Sequence, residues 1–367
     1  MSQAGLIQRL QAAVAAFDFQ AVSPRRVEAA LAREHRTPED LGALLSPAAA
    51  AYLEVMAAQA QAATSRFFGR NIVLYTPLYI ANHCVNECAY CGYNLRNRIR
   101  RAKLTLEEIE AEARAIAATG LQDILLLTGE SPAKADVAYI ASAVEILRSW
   151  FACVGLEIYP LATADYARLH QAGADYISVY QETYDPALYD HVHRAGPKKD
   201  YARRFGAHDR ALAAGFRGAS FGSLLGLGPF RRDVLACGLH AWAVQEKYPQ
   251  AEIGFSVPRL RPFPNQTQTE VDVHETELLQ IMLALRLFMP WAGLSLSTRE
   301  SPRFRDHALR LGVTRLSAGV CTGVGGHQGR EKGDPQFHKD DGRSVAEISQ
   351  VIRERGWQPV FHDHVRV

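Results

Sequence analysis

Residues 72–80 read IVLYTPLYI and residues 105–120 read TLEEIEAEARAIAATG. The first segment is rich in β-branched and aromatic residues, which predicts a strand. The second starts with a capping box at Thr105 and Glu108, has apolar residues at helical spacing and ends at Gly120, which predicts a helix. A strand followed by a helix is the unit that parallel sheets repeat, because parallel neighbours need a crossover.

Seven further segments show the same pattern. The predicted strands are Ile72–Ile80, Asp123–Thr128, Val154–Tyr159, Tyr176–Tyr180, Ala219–Leu224, Ile253–Val257, Leu294–Ser297 and Thr314–Ser317. This strict alternation favours the α/β class and a (β/α)8 barrel of the TIM type. An open doubly wound sheet is the alternative, but no G-x-G-x-x-G motif follows the first strand and no Walker motif occurs.

The rest of the chain predicts helical additions to the barrel. Residues 1–65 are rich in alanine and helical in period, with a fresh helix start at Thr37. We expect them to form an N-terminal helical extension, and residues 66–367 to form the barrel with a C-terminal helix and tail. That last helix begins with a capping box at Ser344 and ends at Gly356.

Composition indicates an ordinary globular chain. The 367 residues are 48% hydrophobic and 22% charged, with a formal net charge of +2, so no overall field selects nucleic acid or an anionic membrane. No apolar run is long enough to span a membrane, and no charged leader precedes the first apolar patch. We expect a cytoplasmic protein with no membrane or nucleic-acid partner.

Three of the six cysteines lie within eight residues, Cys84-Val85-Asn86-Glu87-Cys88-Ala89-Tyr90-Cys91. This C-x3-C-x2-C motif follows the first strand, which in a barrel places it on the catalytic face. Three thiolates on one loop can each bind a different iron of a four-iron, four-sulfur cube. The fourth iron then has no protein ligand, and an open position is where a metal site does chemistry.

Two other readings of the cysteines stay open. A zinc site could add His83, although its neighbour Cys84 would then bind the same ion at an awkward angle. A four-cysteine electron-transfer cluster could add Cys321, which follows the eighth strand on the same face. Cys153 and Cys237 are expected to be small buried hydrophobic residues.

C-x3-C-x-aromatic-C after the first barrel strand resembles the radical S-adenosylmethionine (SAM) enzymes. Further motifs resemble the 2-iminoacetate synthase family, the tyrosine lyases of thiamine biosynthesis, from about Leu45 to the C-terminus. These motifs are Cys88-Ala-Tyr-Cys-Gly-Tyr-Asn-Leu-Arg-Asn-Arg-Ile-Arg-Arg101, Gln181-Glu182-Thr183-Tyr184, Val257-Pro258-Arg259-Leu260-Arg261-Pro262, Ser297-Thr298-Arg299-Glu300 and Ser317-Ala318-Gly319. The resemblance implies cleavage of the Cα–Cβ bond of L-tyrosine to 2-iminoacetate and 4-cresol.

The resemblance also implies two cofactors, a [4Fe–4S] cluster and SAM. Cys84, Cys88 and Cys91 would bind the cluster. The residues expected to bind SAM are Tyr90, Thr128, Gly129, Glu130, Glu182, Arg204 and Pro258. Thr128 stands where the family has glycine, and Arg203 beside Arg204 leaves that assignment open by one residue.

An amino acid substrate needs a fixed cation for its carboxylate, and Arg299 at the exit of the seventh strand fits best. Ser317 could add a hydrogen bond, and Tyr79 could line the amino end. Two departures from the family bear on substrate identity: Val320 stands where serine is usual, and His327 where tyrosine is common. A tryptophan-cleaving relative is therefore an alternative.

The expected partners are thiazole synthase, because 2-iminoacetate hydrolyses readily, and a flavodoxin or ferredoxin reductant. A basic run over residues 96–103 could dock the acidic reductant, offset cluster charge, or be a solvated face. An RNA-modifying radical enzyme could use the same run, but no aromatic residues interleave it. The hydrogenase-maturation relative carries a C-terminal extension with further cysteines, and none follows Cys321 here. A non-enzymatic electron carrier is the remaining alternative.

Overall fold

The computed structural model describes residues 2–263 and 273–362. Its strands are β1 (Asn71–Ala81), β2 (Asp123–Thr128), β3 (Cys153–Glu157), β4 (Tyr176–Glu182), β5 (Gly218–Ser223), β6 (Glu252–Ser256), β7 (Gly293–Leu296), β8 (Arg315–Ser317) and β9 (Gln358–Val360). Its α-helices are α1 (Gln3–Ala16), α2 (Pro24–Ala32), α3 (Pro38–Leu45), α4 (Leu53–Phe68), α5 (Leu106–Ala117), α6 (Val137–Arg148), α7 (Thr163–Ala172), α8 (Pro186–Val192), α9 (Tyr201–Phe205), α10 (Ala207–Ala213), α11 (Phe230–Lys247), α12 (Glu275–Phe288), α13 (Pro302–Ala308) and α14 (Val345–Glu354).

The first eight strands close into a parallel barrel. Strands β2 to β8 follow one another in order, and β1 pairs with both β8 and β2, which closes the ring. Each predicted strand overlaps one of these eight strands, with ends that differ by two residues or fewer. The predicted (β/α)8 barrel is therefore confirmed, and the open doubly wound sheet is excluded.

Strand β9 is an addition that the sequence did not predict. It lies parallel to the beginning of β1, with Ile72 opposite Pro359. Three residues that include a proline give too short a pattern to indicate a strand, and proline is found mainly at sheet edges. Strand β9 therefore pairs with the beginning of β1 and is not one of the eight strands that close the barrel.

The helix ends follow the chemistry of the sequence. Thr105 and Glu108 form a reciprocal capping box at the start of α5, and Ser344 and Glu347 form another at the start of α14. Gly120 has a φ of 90°, the left-handed conformation that glycine adopts without strain where a helix stops. These caps fix where α5 and α14 begin and where the chain leaves α5.

The N-terminal helices cover one side of the barrel. Helix α1 contacts α11, and α3 contacts both α11 and α12, while α4 lies along α12. Gln280 on α12 donates to the carbonyls of Leu44 and Ser46 at 2.8 Å, which satisfies the end of α3. The buried Asp40 accepts hydrogen bonds from Arg26 at 2.7 Å and from Arg33. The predicted boundary at residue 65 stays a prediction, and it falls in the last turn of α4.

No single helix within residues 2–263 and 273–362 has both the length and the apolar character needed to cross a membrane. One pair of helices, Pro38–Leu45 and Pro47–Phe68, passes that test only when taken together, and the pair is bent by 79°. The first helix of the pair is α3, which lies against α11 and α12.

Candidate active site

The three clustered cysteines lie on the loop that follows β1, at the carboxyl end of the barrel. The backbone fixes this loop to two other segments. The Val85 N–H donates to the Glu130 carbonyl at 2.9 Å, and Cys88 forms an isolated antiparallel bridge with His193. The loop is therefore held between the exit of β2 and the end of α8.

Burial disfavours the thiolate forms of Cys88 and Cys91. Burial raises the pKa of Cys88 to about 12, although the charge of nearby Lys198 opposes this rise. The Asn86 amide donates to the Cys84 sulfur at 3.6 Å, and the Gln336 amide donates to the Cys91 sulfur at 3.7 Å. Cations bound to the sulfurs would remove the energetic penalty of ionising these thiols.

The donor set fits the predicted iron–sulfur cluster. All six cysteines of the described chain are free of disulfides, and sulfur ligands alone suit iron–sulfur chemistry. Within the described ranges no three His, Cys, Asp or Glu side chains are arranged to hold a single metal ion. Cys84, Cys88 and Cys91 would hold three irons of the cluster.

Cys321, the alternative fourth ligand, has its own surroundings. Its sulfur lies 3.8 Å from the Gly323 carbonyl, and a Cβ built on Gly326 would overlap it. Burial raises the pKa of this thiol, with Glu331 and Lys339 among the charges nearby. The Cys321 sulfur therefore packs against the backbone of the loop that follows β8.

The exit of β2 approaches the cysteine loop very closely. The Gly129 N–H donates to the Ala81 carbonyl at 2.9 Å, and a Cβ at Gly129 would overlap the His83 carbonyl oxygen. Only glycine fits here without displacing the loop. Beside it, the Thr128 hydroxyl is buried and has no hydrogen-bond partner among the described residues, while the Glu130 carboxylate accepts from the Asn86 amide at 2.7 Å.

Glu182 is the centre of a buried charge cluster at the exit of β4. Its carboxylate lies 2.6 Å from the Lys198 ammonium and 3.4 Å from the Arg204 guanidinium. Burial acts to raise the pKa of Glu182, but the two cations outweigh it and the pKa is lowered. Glu182 also has a φ of 72°, a strained value for a residue other than glycine.

The structure distinguishes the two adjacent arginines. Arg204 is buried, and its Nε donates to the Tyr180 carbonyl at 2.6 Å. Arg203 instead donates to the Pro160 carbonyl at 2.9 Å and does not reach the charge cluster. The predicted residue Arg204 is therefore the one placed beside Glu182.

Lys198 is a residue of this region that the sequence did not reveal. Its ammonium lies 5.3 Å from the centre of the Tyr90 ring, and the Tyr90 hydroxyl lies 2.6 Å from His193 Nε2. Burial lowers the pKa of His193 to about 3, so its ring is neutral. The only local signal is the Gly196-Pro197 turn before the lysine, which does not by itself indicate a site.

Arg299, Ser317 and Tyr79 meet in one small pocket of about 60 Å³ at the carboxyl end of the barrel. The Arg299 guanidinium lies 3.5 Å from the centre of the Phe337 ring, and burial lowers its pKa. The Ser317 hydroxyl accepts from the Thr298 N–H at 3.1 Å, and the Tyr79 hydroxyl donates at 3.1 Å to a side-chain amide. The three predicted substrate residues are thus neighbours.

Glu157 also lines this pocket, and the sequence-based prediction missed it. It ends β3, and burial raises its pKa to about 7. A signal was present, because side chains alternate along a strand and Cys153, Gly155 and Glu157 share one face. An acidic residue on the inner face of a barrel strand is unusual enough to indicate function.

Pro258 lies in the pocket wall, and its carbonyl accepts from the Leu225 N–H at 2.9 Å. Arg259 beside it forms an ion pair with the buried Glu300. Of the two departures from the family pattern, Val320 lines the pocket and His327 is not part of its wall. His327 Nε2 instead lies 3.0 Å from the Pro77 carbonyl.

A cavity of about 670 Å³ lies at the opposite end of the barrel. Asp123, Tyr176 and Arg315 are among the residues that line it. Arg315 forms an ion pair with Asp123 at 2.6 Å. Because TIM-barrel enzymes place their chemistry at the carboxyl ends of the strands, the smaller pocket beside the cysteines is the candidate active site.

Comparison with known proteins agrees with this geometry. The Radical SAM superfamily model matches residues 78–236, and the Biotin and Thiamin Synthesis associated domain matches residues 256–358. The 2-iminoacetate synthases of Salmonella typhimurium and Escherichia coli are each 39% identical over 338 residues, which is 92% of this chain and 90% of theirs. A crystal structure of HydG, a maturase of the [FeFe]-hydrogenase, superposes with a TM-score of 0.88 at 31% identity, covering 98% of this chain and 80% of that one.

A closed (β/α)8 barrel with C-x3-C-x2-C after its first strand defines a radical SAM enzyme, whose cofactors are a [4Fe–4S] cluster and SAM. Within that class, this chain belongs to the 2-iminoacetate synthase family.

Proposed function

We propose that this enzyme cleaves the Cα–Cβ bond of L-tyrosine to give 2-iminoacetate and 4-cresol, with 5′-deoxyadenosine and methionine formed from SAM. Two observations support this activity. The chain is 39% identical over 92% of its length to proteins named 2-iminoacetate synthase. The pocket beside the cysteine loop also contains Arg299, a buried cation suited to the carboxylate of an amino acid.

When bound, the cluster and SAM supply the radical that removes a hydrogen atom from the substrate. In the proposed site, Arg204 binds the SAM carboxylate, because a guanidinium matches a carboxylate with two parallel hydrogen bonds. Glu130 accepts from the SAM amino group, and Thr128 contributes its unpartnered hydroxyl. Tyr90, Gly129, Glu182 and Pro258 complete the binding region.

The protein's own contribution to the reaction is positioning and exclusion of water. Arg299 fixes the substrate carboxylate, and Ser317 and Tyr79 line the wall next to it. The pocket is small, and Phe337 covers one face of the guanidinium, which strengthens the electrostatic interactions inside it. Holding the reacting groups in one orientation lowers the barrier because less entropy is lost in the transition state.

The proposed reductant, a flavodoxin or ferredoxin, has a candidate docking surface near the cysteines. Leu95 is 50% exposed and Val85 is 39% exposed, and both belong to the loop that carries the cluster ligands. In the basic run, Arg101 is bonded to backbone carbonyls and Arg96 pairs with Glu87 at 2.8 Å. The exposed Arg98 is therefore better placed to meet an acidic partner. Apolar contacts ringed by charge are typical of transient complexes.

Thiazole synthase remains the proposed acceptor of the product, in the cytoplasm, because 2-iminoacetate hydrolyses in water and benefits from direct transfer. A tryptophan lyase is the second candidate activity. Val320 in the pocket wall supports this second candidate, because the residue departs from the family pattern at a position that lines the proposed substrate pocket.

The test is anaerobic incubation of the reconstituted enzyme with dithionite, SAM and either L-tyrosine or L-tryptophan, followed by product analysis. We expect 4-cresol from tyrosine and no fragmentation of tryptophan. Cys84→Ala, Cys88→Ala and Cys91→Ala should each abolish 5′-deoxyadenosine formation. Cleavage of tryptophan in preference to tyrosine would refute the proposed substrate.

A further inference from the structure

Glu157 is a carboxylate without a partner inside the candidate active site. It lies at the end of β3, is half-buried, and lines the pocket together with Tyr79, Tyr180 and Arg299. None of the described residues forms a hydrogen bond or an ion pair with its side chain. Because this carboxylate faces the pocket and no side chain of the described residues pairs with it, it is available to a ligand of opposite charge.

Arg299 has the complementary property. Its guanidinium contacts the Phe337 ring and donates to the Arg259 carbonyl at 3.3 Å, but no acidic side chain of the described residues pairs with it. The pocket therefore contains one cation and one anion that neutralise neither each other nor a neighbour at ion-pair distance. The zwitterion of an α-amino acid carries the two opposite charges that such a pocket requires.

We propose that Glu157 binds the α-ammonium group of the amino acid substrate and accepts one proton from it. This inference rests on the proposed function, because it concerns the same substrate in the same pocket. Arg299 then binds the α-carboxylate, so the two residues together fix both ends of the amino acid backbone. The aromatic side chain is left to the remaining wall of the pocket.

The proton transfer is balanced and needs no further reactant. One N–H bond of the ammonium breaks heterolytically, its electron pair stays on nitrogen, and an O–H bond forms on Glu157. The products are a neutral amine and a carboxylic acid, with no change in oxidation state. A neutral amine is the form from which removal of a hydrogen atom leaves an uncharged nitrogen radical.

The electrostatic surroundings suit this transfer. Burial raises the pKa of Glu157 to about 7, which makes its carboxylate a stronger base and narrows the gap to the higher pKa of the α-ammonium of a free amino acid. A base is most effective when its pKa lies near the working pH. The groups that face it are Tyr79 on β1, Tyr180 on β4 and Arg299 after β7, with the charge cluster of Glu182, Lys198 and Arg204 further away.

Glu182 is not an equivalent candidate, because Lys198 and Arg204 already pair with it. A purely structural role for Glu157 is also poorly supported, since no residue of the described ranges is held by its carboxylate. The pH dependence follows from the sign of the shift: below about pH 7 the free Glu157 is protonated and loses its attraction for the ammonium.

The experiment measures ligand binding to the reconstituted holoenzyme with SAM by calorimetry. The ligands are L-tyrosine, 3-(4-hydroxyphenyl)propanoate, which lacks the amine, and tyramine, which lacks the carboxylate. Glu157→Gln should weaken tyrosine binding by about 10- to 100-fold, the range for a charged hydrogen bond, and leave the propanoate unaffected. In Arg299→Gln, by contrast, the preference for tyrosine over tyramine should be lost.

Glu252→Gln is the matched control, because Glu252 begins β6 at the opposite end of the barrel and its carboxylate is 62% exposed. It should behave like the wild type in binding and in cresol formation. Glu157→Gln should also lower cresol formation by about 100-fold or more, the usual contribution of a positioned base, and remove the acidic limb of the kcat/KM profile.

Unchanged discrimination between tyrosine and the propanoate in Glu157→Gln would overturn the inference. If that variant does not fold, the wild type still decides: its preference for tyrosine over the propanoate should fall as the pH drops below about 7, and a preference independent of pH would overturn the inference. A wild-type enzyme that binds tyrosine with this pH dependence but forms no cresol would refute the proposed function and leave the role of Glu157 in binding intact.

Discussion

Replacing Gly129 by alanine tests how closely the exit of β2 supports the cysteine loop. The added Cβ would overlap the His83 carbonyl oxygen and lie 3.0 Å from its carbon and 3.3 Å from Cβ of Cys84. Carbon atoms in contact prefer about 3.5–4.0 Å, so the backbone at residues 83 and 84 must move by about 0.5–1 Å. Such overpacking costs about 1–3 kcal/mol.

The displaced atoms are those that carry the first cluster ligand. A shift of about 1 Å at a reacting centre can cost about 100-fold in rate, so we expect 5′-deoxyadenosine formation to fall by about that factor. The assays are iron content per chain, the electron paramagnetic resonance signal of the reduced cluster, and SAM cleavage. Gly342→Ala is the control, since a Cβ there meets no atom within 4 Å. Full iron content and wild-type SAM cleavage in Gly129→Ala would refute the reasoning.

Three further changes test separate parts of the account. Lys198→Met removes a buried partner of Glu182 and should lower the free energy of unfolding by about 1.5–3 kcal/mol in urea titrations. Although burial opposes it, hydrogen bonds from Arg343 help to lower the pKa of Asp341 to about 2. The stabilisation of the folded protein by Asp341 should therefore be complete above about pH 4 and fade as the pH falls toward 2. In thermal melts, Asp341→Asn should lack this pH dependence. Cys321→Ala should retain the iron content and cofactor cleavage of the wild type, and loss of iron would make Cys321 a ligand.

The barrel could be predicted from the sequence because its signals are local. Each strand combines β-branched residues with a following capped helix, and the capping boxes at Thr105 and Ser344 form as their side chains dictate. Strand β9 could not be predicted, because three residues such as Gln358–Val360 form a strand only by pairing with β1 in the folded protein. Short strands depend on tertiary contacts more than on their own composition.

The site was predictable where a motif concentrates its ligands. Cys84, Cys88 and Cys91 share one loop, whereas Lys198 reaches the site from a distant segment through a buried ion pair with Glu182. The turn before Lys198 does not by itself indicate such a contact. Glu157 is intermediate, since alternation along β3 places it inside the barrel but only the closed structure shows that no residue pairs with it.

The central claim is that three cysteines hold a four-iron cluster whose fourth iron is free to bind SAM. Electron–nuclear double resonance of the reduced holoenzyme, with SAM labelled at its amino nitrogen, tests this most directly. We predict hyperfine coupling between the cluster and the labelled nitrogen, which is lost when SAM is omitted. A cluster whose fourth iron is bound by a protein side chain, with no coupling to the label, would contradict the account.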